Sequence, residues 1–496
     1  MLERGSGILM HISSLPGEMG IGDFGKSAYA FIDFLKSSNQ KFWQILPLGP
    51  TGYGNSPYQS FSSFAGNPYF IDLESLREKG FLKEEDLENL KNNNNPKSVD
   101  YGFIYLEKMR VLRKAYDNYC FLNKKLDMEN FKRENEIWLE EYSLYMVLKK
   151  KFDYKSWEEW PTEFKNRDIE IIKKEKEKQR DEIEFYIFLQ YIFYFQWGNL
   201  KKYSNLNGVK IIGDLPIFVA LDSSDIWANS DMFLLDENKI PLKVSGCPPD
   251  FFSEKGQLWG NPLYDWDKMK KDKFTWWISR VEHCFKLYDV VRIDHFRGFE
   301  AYWEIPIGSE DATGGAWKKG PGIELFREID NSLGKKDIIA EDLGFISPEV
   351  KELLLKTGFP GMKVLLFAFD SKTDSDYLPH KYTENSIAYI GTHDNDTVVG
   401  WYENASIDDK NYCNKYFEKL NLIRSQEINW KFIEAAWGSN SVVSIVQMQD
   451  LIGLDNLSRM NKPATDNGNW SWRLENKFIT KELSQRLKKI TAIYNR

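Results

Sequence analysis

Eight short and nearly continuous apolar runs, most of them ending in a polar residue, constrain the fold of this chain more than any other feature. They lie at 8–12, 42–48, 209–214, 290–294, 338–341, 362–367, 387–394 and 442–450. Strands that are buried on both faces of a parallel sheet have this composition. Between the first two runs, apolar residues recur at helical spacing from Phe24 to Leu35, as a crossover helix requires. Eight such strands predict a (β/α)₈ TIM barrel, in which chemistry takes place at the carboxyl ends of the strands.

Two connections between these runs are too long for simple crossovers. Residues 73–190 are dense in Lys, Glu and Asn, which predicts a mostly helical insertion subdomain with charged, solvent-exposed faces. Residues 215–289 are rich in Gly, Pro, Asp and Trp, which predicts a loop-rich insertion over the active site. We therefore expect residues 1–72 and 191–496 to form the catalytic barrel, without a separate C-terminal β-domain.

The charge balance argues against an extended anionic partner. Lys and Arg number 66 against 74 Asp and Glu, which gives a formal net charge of −8, so nucleic acid would be repelled. Aromatic residues make up 15% of the chain, and flat rings with a polar edge are suited to stacking on sugars. An uncharged ligand is therefore expected.

Cysteine usage and hydropathy indicate the compartment. Cys120, Cys247, Cys284 and Cys413 lie far apart and form no zinc or redox motif, so we expect ordinary reduced thiols. The N-terminal residues lack the apolar centre of a signal peptide. The most apolar stretch, 185–197, is about half of the roughly 20 residues that span a bilayer. These features predict a cytoplasmic protein that does not cross a membrane, and they leave its oligomeric state open.

The motif VVRIDHFRG at 290–298 contains a candidate nucleophile. Arg292 and Asp294 are two residues apart, so on a strand they face the same side. An inward-facing arginine can keep the aspartate ionised, which a nucleophile requires. For a single aspartate in isolation, an ion pair that only supports the barrel is the plainer interpretation.

Three further strand ends carry acidic residues. Glu341 ends the run at 338–341 with Asp342 beside it, and a carboxyl group near other carboxylates tends to have the raised pKa of a general acid. GTHDNDT at 391–397 presents His393 and Asp394, and GDLP at 213–216 presents Asp214. Together these motifs favour a site over separate ion pairs.

Retaining glycosyl transfer would assign roles to these carboxylates. Transfer between α-linked glucans retains the anomeric configuration, so it requires two displacements, with a nucleophile and an acid about 5–5.5 Å apart. Asp294 is then the nucleophile and Glu341 the acid and later the base. Asp394 would strengthen its hydrogen bonds to the sugar as the ring flattens in the transition state.

Other motifs are spread along the whole chain. They include RGSGILMHISSLPG at 4–17, WQILPLGPTGYGNSPYQSFSSFAGNPYFIDL at 43–73, CPPDFFSEKGQLWGNPLYDW at 247–266, GFPGMKVLLFAFD at 358–370 and SRMNKPATDNGNWSWR at 458–473. With these and the carboxylate motifs, the sequence closely resembles the 4-α-glucanotransferase (amylomaltase) family, glycoside hydrolase family 77 of the α-amylase clan.

The resemblance implies the same catalytic roles for Asp294, Glu341 and Asp394, with no metal and no cofactor. It implies that sugars are bound by Ser56, Tyr58, Asp214, Gln257, Trp259, Arg292, His295, His393, Asn461 and Pro463. The expected donors and acceptors are α-1,4-glucans and maltooligosaccharides. A glucan segment would be transferred to the 4-hydroxyl of glucose or of another glucan through a covalent glycosyl-enzyme.

Three alternatives remain beside this reading. A retaining α-glucan hydrolase would use the same carboxylates, although the aromatic, Gly-rich loops at 53–70 and 247–266 favour transfer because they can hold an acceptor and exclude water. A metal-dependent barrel hydrolase would need paired ligands such as HxH or HExxH, which the sequence lacks. A non-catalytic glucan-binding protein would not need all three carboxylates.

Overall fold

A closed parallel barrel of eight strands forms the centre of the computed structural model, which describes residues 2–122, 127–249, 253–344, 346–421, 425–465 and 467–496. Strands are numbered along the chain. The barrel consists of β1 (Gly5–Leu9), β2 (Phe42–Gln44), β3 (Lys210–Leu215), β6 (Val290–Ile293), β9 (Ile338–Ala340), β10 (Gly361–Val364), β11 (Ser386–Tyr389) and β12 (Val443–Gln447). The predicted (β/α)₈ barrel is confirmed, and each of its strands overlaps one of the eight apolar runs or directly adjoins it.

The barrel closes between its first and last strands. Strand β1 pairs in parallel with β12, Gly5 opposite Val443, and on its other side with β2. Every residue of β1, β6, β11 and β12 is buried, because side chains on one face fill the barrel and those on the other pack against surrounding helices. At Gly7 a side chain would overlap the carbonyl oxygen of Phe42, 2.4 Å from an ideal Cβ, so only glycine allows β1 and β2 to approach this closely.

A second, antiparallel sheet lies outside the barrel. It contains β4 (Lys243–Cys247), β5 (Gln257–Pro262), β7 (Ala301–Pro306) and β8 (Ala316–Lys319), in the order β5-β4-β7-β8. Two of these strands belong to the segment 215–289, whose composition predicted mainly loops, and the other two follow β6. The segment also contains α10 (Ser224–Ala228), α11 (Trp266–Lys271) and α12 (Thr275–Leu287).

Helices account for most of the described residues between β2 and β3. They are α2 (Leu73–Glu78), α3 (Glu88–Asn92), α4 (Tyr101–Leu122), α5 (Met128–Glu134), α6 (Leu139–Lys151), α7 (Thr162–Lys165), α8 (Ile169–Lys178) and α9 (Arg180–Leu206). Helix α9 continues past residue 190 and returns the chain to the barrel. The division of the chain at residues 72 and 190 stays a prediction.

The remaining helices surround the barrel. They are α1 (Lys26–Ser37), α13 (Ile323–Leu333), α14 (Pro348–Thr357), α15 (Val398–Asn404), α16 (Ile407–Lys419), α17 (Ile428–Trp437), α18 (Met448–Leu451) and α19 (Lys481–Ile493). Two short 3₁₀ helices, Leu365–Phe367 and Pro379–Lys381, take the place of an α-helix between β10 and β11. The described residues after β12 add helices and no strand, and no described helix has the length and apolarity needed to cross a membrane.

Two glutamines on α9 anchor the long loop that follows β2. Gln190 accepts a hydrogen bond from the backbone N–H of Gly66 at 2.7 Å and donates one to its carbonyl at 2.9 Å. Gln196 makes the same pair of bonds with Asp72, at 2.7 and 3.0 Å. These polar residues interrupt the most apolar stretch of the sequence because they satisfy buried backbone groups of a loop that reaches the barrel rim.

Candidate active site

Three carboxylates lie on three neighbouring strands of the barrel. Asp214 is in β3, Asp294 directly follows β6, and Glu341 directly follows β9, which is the next strand around the barrel. The backbone N–H of Asp294 donates to the carbonyl of Leu215, and that of Glu341 donates to Ile293, both at 3.0 Å. Because strands in a sheet are about 4.8 Å apart, this pairing places Asp294 and Glu341 side by side at the carboxyl rim.

Asp294 is paired with a buried arginine. Its Oδ1 lies 2.9 Å from Nη1 of Arg292, and the same Nη1 donates to both carboxylate oxygens of Asp214, at 2.8 and 2.7 Å. Burial lowers the pKa of Arg292, but Asp214 and Asp294 raise it by more, so the guanidinium stays charged. The Asp294 side chain is 30% exposed and that of Arg292 is 5% exposed. The site therefore offers an accessible aspartate held beside a buried, fixed positive charge.

Glu341 is held by two backbone N–H groups. Oε2 accepts from His295 at 2.7 Å and Oε1 accepts from Leu343 at 2.8 Å. His295 adopts the left-handed conformation, with φ of 50°, and this turn directs its N–H toward the carboxyl group. Burial first, and then the charge of Asp294, raises the pKa of Glu341 to about 7. A carboxyl group with this pKa can donate and accept a proton near neutral pH.

Asp394 differs from Glu341 in its protonation. Asn461 Nδ2 donates to its Oδ1 at 2.6 Å, and His393 Nε2 lies 3.3 Å from its Oδ2. Burial raises the pKa of Asp394, but the positive His393 and the hydrogen bonds lower it by more, to about 2. Its side chain is 43% exposed. Asp394 is therefore an ionised acceptor that a ligand in the barrel mouth can reach.

A stacked pair of rings connects Asp394 with Asp214. The ring of Tyr58 lies parallel to that of His393, with centroids 5.0 Å apart and an angle of 19°. The Tyr58 hydroxyl donates to Oδ2 of Asp214 at 2.8 Å. Ser56 accepts a hydrogen bond from the Tyr58 backbone N–H at 3.3 Å, so it supports the turn that presents the ring.

The antiparallel sheet supplies a further wall of the site. Trp259 on β5 contacts His295 edge-on, with ring centroids 4.8 Å apart, and its Nε1 donates to Oε1 of Gln257 at 3.1 Å. Burial, and then the charge of Arg297, lowers the pKa of His295 to about 3, so this histidine is neutral. Pro463 is exposed in the loop that follows Asn461.

Two residues that the sequence analysis did not single out also take part in the arrangement. Arg459 donates to the backbone carbonyl of Asp394 and pairs with Asp396. Trp470 packs against both His393 and Tyr58. Both belong to the motif at 458–473, but their distance in sequence from the residues they contact left no local pattern to predict these contacts. Within the described ranges, no group of three or more His, Cys, Asp or Glu side chains is placed to hold a metal ion.

A parallel barrel with an accessible, arginine-paired aspartate beside a glutamate of raised pKa defines an enzyme of the class that cleaves glycosidic bonds with retention. A family model described as 4-alpha-glucanotransferase matches residues 10–480, and the chain belongs to this family. The resemblance found in the sequence is thus confirmed.

Individual relatives agree with this assignment. The chain is 51% identical to a 4-alpha-glucanotransferase of Clostridium butyricum, over 98% of this chain and 100% of that protein. It is 42% identical to a 4-alpha-glucanotransferase of Thermus thermophilus, over 98% of both. The structure of an amylomaltase from Streptococcus agalactiae in complex with acarbose covers all of both chains with a TM-score of 0.96 and 43% identity.

Proposed function

We propose that this enzyme transfers a segment of an α-1,4-glucan to the 4-hydroxyl of glucose or of another α-1,4-glucan, through a covalent intermediate on Asp294. The observation that carries the proposal is the pairing of two neighbouring carboxyl groups in different environments. Asp294 is held by Arg292, while burial and the charge of Asp294 raise the pKa of Glu341 to about 7. Two displacements at one α-linkage need such a nucleophile and such an acid.

In the first displacement, an oxygen of Asp294 attacks the anomeric carbon as the glycosidic bond breaks, and Glu341 donates its proton to the leaving oxygen. The shortened glucan then departs. The new ester removes the negative charge of Asp294, which is one cause of the high pKa of Glu341. Formation of the ester therefore lowers the pKa of Glu341. The glutamate then stays ionised and serves as the base of the second step.

In the second displacement, Glu341 removes a proton from the 4-hydroxyl of the acceptor, whose oxygen attacks the anomeric carbon and releases Asp294. Asp394 is ionised and reachable, so it can accept hydrogen bonds from sugar hydroxyls while positive charge develops on the ring. Tyr58, His393 and Trp259 provide ring surfaces around this position.

Transfer is favoured over hydrolysis because a relative that is 51% identical over 98% of this chain is named 4-alpha-glucanotransferase. The loop with Ser56 and Tyr58 is fixed to α9 by Gln190 and Gln196, so it can hold an acceptor in a site with restricted water. We also propose that the enzyme is cytoplasmic and has no nucleic acid or membrane partner. Its four widely spaced cysteines suit a reducing compartment, and its net charge of −8 would repel nucleic acid.

Incubation with maltotriose tests the proposal directly. Transfer gives glucose together with a ladder of maltooligosaccharides longer than the substrate, whereas glucose and maltose without longer products would show hydrolysis instead. The products are separated by chromatography over a time course.

Asp294→Asn tests the nucleophile. It should lower turnover by about three orders of magnitude or more while the protein keeps its fold. Asp289→Asn is the matched control, since Asp289 directly precedes the other end of the same strand, where it accepts a hydrogen bond from the Ile211 N–H at 2.8 Å. This control should retain most of the activity, and an Asp294→Asn enzyme with a tenth of normal turnover would contradict the assigned role.

A further inference from the structure

Trp470 has an unusual backbone conformation for a large aromatic residue. Its φ is 64°, in the left-handed region that glycine prefers, and its side chain is almost completely buried, at 6% exposure. A bulky residue persists in this region only where the surrounding structure fixes it, and such residues cluster at functional sites. The position of the Trp470 ring therefore requires an explanation from its contacts.

The ring of Trp470 flanks the stacked pair of Tyr58 and His393. Its centroid lies 5.9 Å from that of Tyr58 and 5.7 Å from that of His393. The two rings that Trp470 contacts are the ones that reach the carboxylates, since Tyr58 donates to Asp214 and His393 lies beside Asp394. Since Trp470 is buried, it acts on the site through these two rings and offers no face to a sugar.

Backbone hydrogen bonds on both sides hold Trp470 in its strained conformation. Its N–H donates to the carbonyl of Met460 at 2.7 Å, next to Asn461, whose own N–H donates to the His393 carbonyl at 3.0 Å. Its carbonyl accepts a hydrogen bond from the hydroxyl of Tyr101, at the start of helix α4, at 3.0 Å. Val99 donates to the carbonyl of Ser471 at 2.8 Å. The helical segment that follows β2 thus holds the chain at Trp470 from outside the barrel.

We propose that Trp470 is a positioning residue for the Tyr58–His393 pair, and that Tyr101 of the helical segment keeps it in place. Removal of the ring leaves space for Tyr58 and His393 to turn and for water to enter behind them, so Asp214 loses the fixed Tyr58 hydroxyl and Asp394 loses the fixed His393 ring, while Arg292 and Asn461 stay in place. The inference rests on the proposed function, because it concerns the step in which Asp394 stabilises the reacting sugar.

Three substitutions at position 470 test the role of the ring. Trp470→Ala should lower kcat by about ten- to a hundredfold with KM within about threefold of the parent, because positioning acts on the reacting geometry more than on glucan binding. Trp470→Phe restores a ring and should keep kcat within about threefold. Trp470→Gly should be as slow as the alanine variant yet unfold at a higher temperature than it, since glycine adopts the left-handed conformation without strain.

Tyr101→Phe tests the connection through one hydroxyl group and does not endanger the fold. It should lower kcat about two- to tenfold without changing KM, whereas Tyr105→Phe, one turn further along α4 and packed against Tyr154, should leave both unchanged. Normal kcat in both Trp470→Ala and Tyr101→Phe would overturn the inference, as would a rise in KM alone. The maltotriose products of the unsubstituted enzyme test the proposed function separately. If that function is wrong, the unsubstituted enzyme and every variant will make no products longer than maltotriose.

Discussion

Replacing Asp294 by Asn should lower the pKa of Glu341. In the folded protein that pKa is about 7 instead of the ordinary 4.5, a difference equivalent to about 3 kcal/mol. Burial is the larger cause and the charge of Asp294 the second. Asparagine keeps the shape of the side chain and removes only the charge, so the pKa of Glu341 should fall by about one unit and remain above the ordinary value.

Infrared difference titration of the carboxyl band measures this change. Glu341→Gln identifies the band by its loss, and the titration midpoint is then compared between the unsubstituted protein and Asp294→Asn. Asp394→Asn is the control, because it removes a different rim charge and should leave the midpoint nearly unchanged. A midpoint in Asp294→Asn that is equal to or above that of the unsubstituted protein would refute the electrostatic coupling on which the exchange of acid and base roles depends.

Glu341→Gln should abolish most activity on maltotriose but much less on α-maltosyl fluoride, whose leaving group needs no proton; equal losses, measured as kcat/KM, would contradict the acid role. In the unsubstituted enzyme, kcat/KM should fall about tenfold per pH unit above the Glu341 midpoint near 7, and a flat profile to pH 9 would count against it. Burial raises the pKa of Asp450 from 3.8 to about 7, so the folded state binds this proton more tightly than the unfolded chain does and loses stability as pH rises from about 4 to 7. Asp450→Asn should therefore raise the unfolding temperature more at pH 8 than at pH 4. An equal effect at both pH values would be inconsistent with this cause. Gly213→Ala should destabilise the protein by about 1–3 kcal/mol in denaturant unfolding, since the new Cβ would lie 2.2 Å from the buried ring of Tyr288. Its control, Gly198→Ala, is exposed within α9 with open space around it and should stabilise the protein by about 0.5–1 kcal/mol.

The barrel was predictable because its strands are apolar on both faces. The run at 290–294 contains β6 and ends at Asp294, and the run at 338–341 contains β9 and ends at Glu341. The antiparallel sheet was missed for the opposite reason. All four residues of β8 are exposed, and β5 contains Gly260 and ends at Pro262, so neither strand shows a hydrophobic pattern that marks it.

Parts of the site followed from local spacing and parts did not. Arg292 and Asp294 are two residues apart on one strand, so their shared direction was evident before the structure. Tyr58 meets Asp214, and Asn461 meets Asp394, only because loops distant in sequence converge at the rim. The left-handed conformation of Trp470 has no sequence signal, because that conformation ordinarily predicts glycine.

The seam of the barrel has a consequence for synthesis of the chain. Strand β1 emerges from the ribosome early, yet one of its two partners is β12, which is made last among the strands. Non-local pairing of this kind is slow, and unpaired apolar strands are prone to aggregate until it occurs. The nascent protein therefore stays incomplete, and inactive, until almost all of it has been translated.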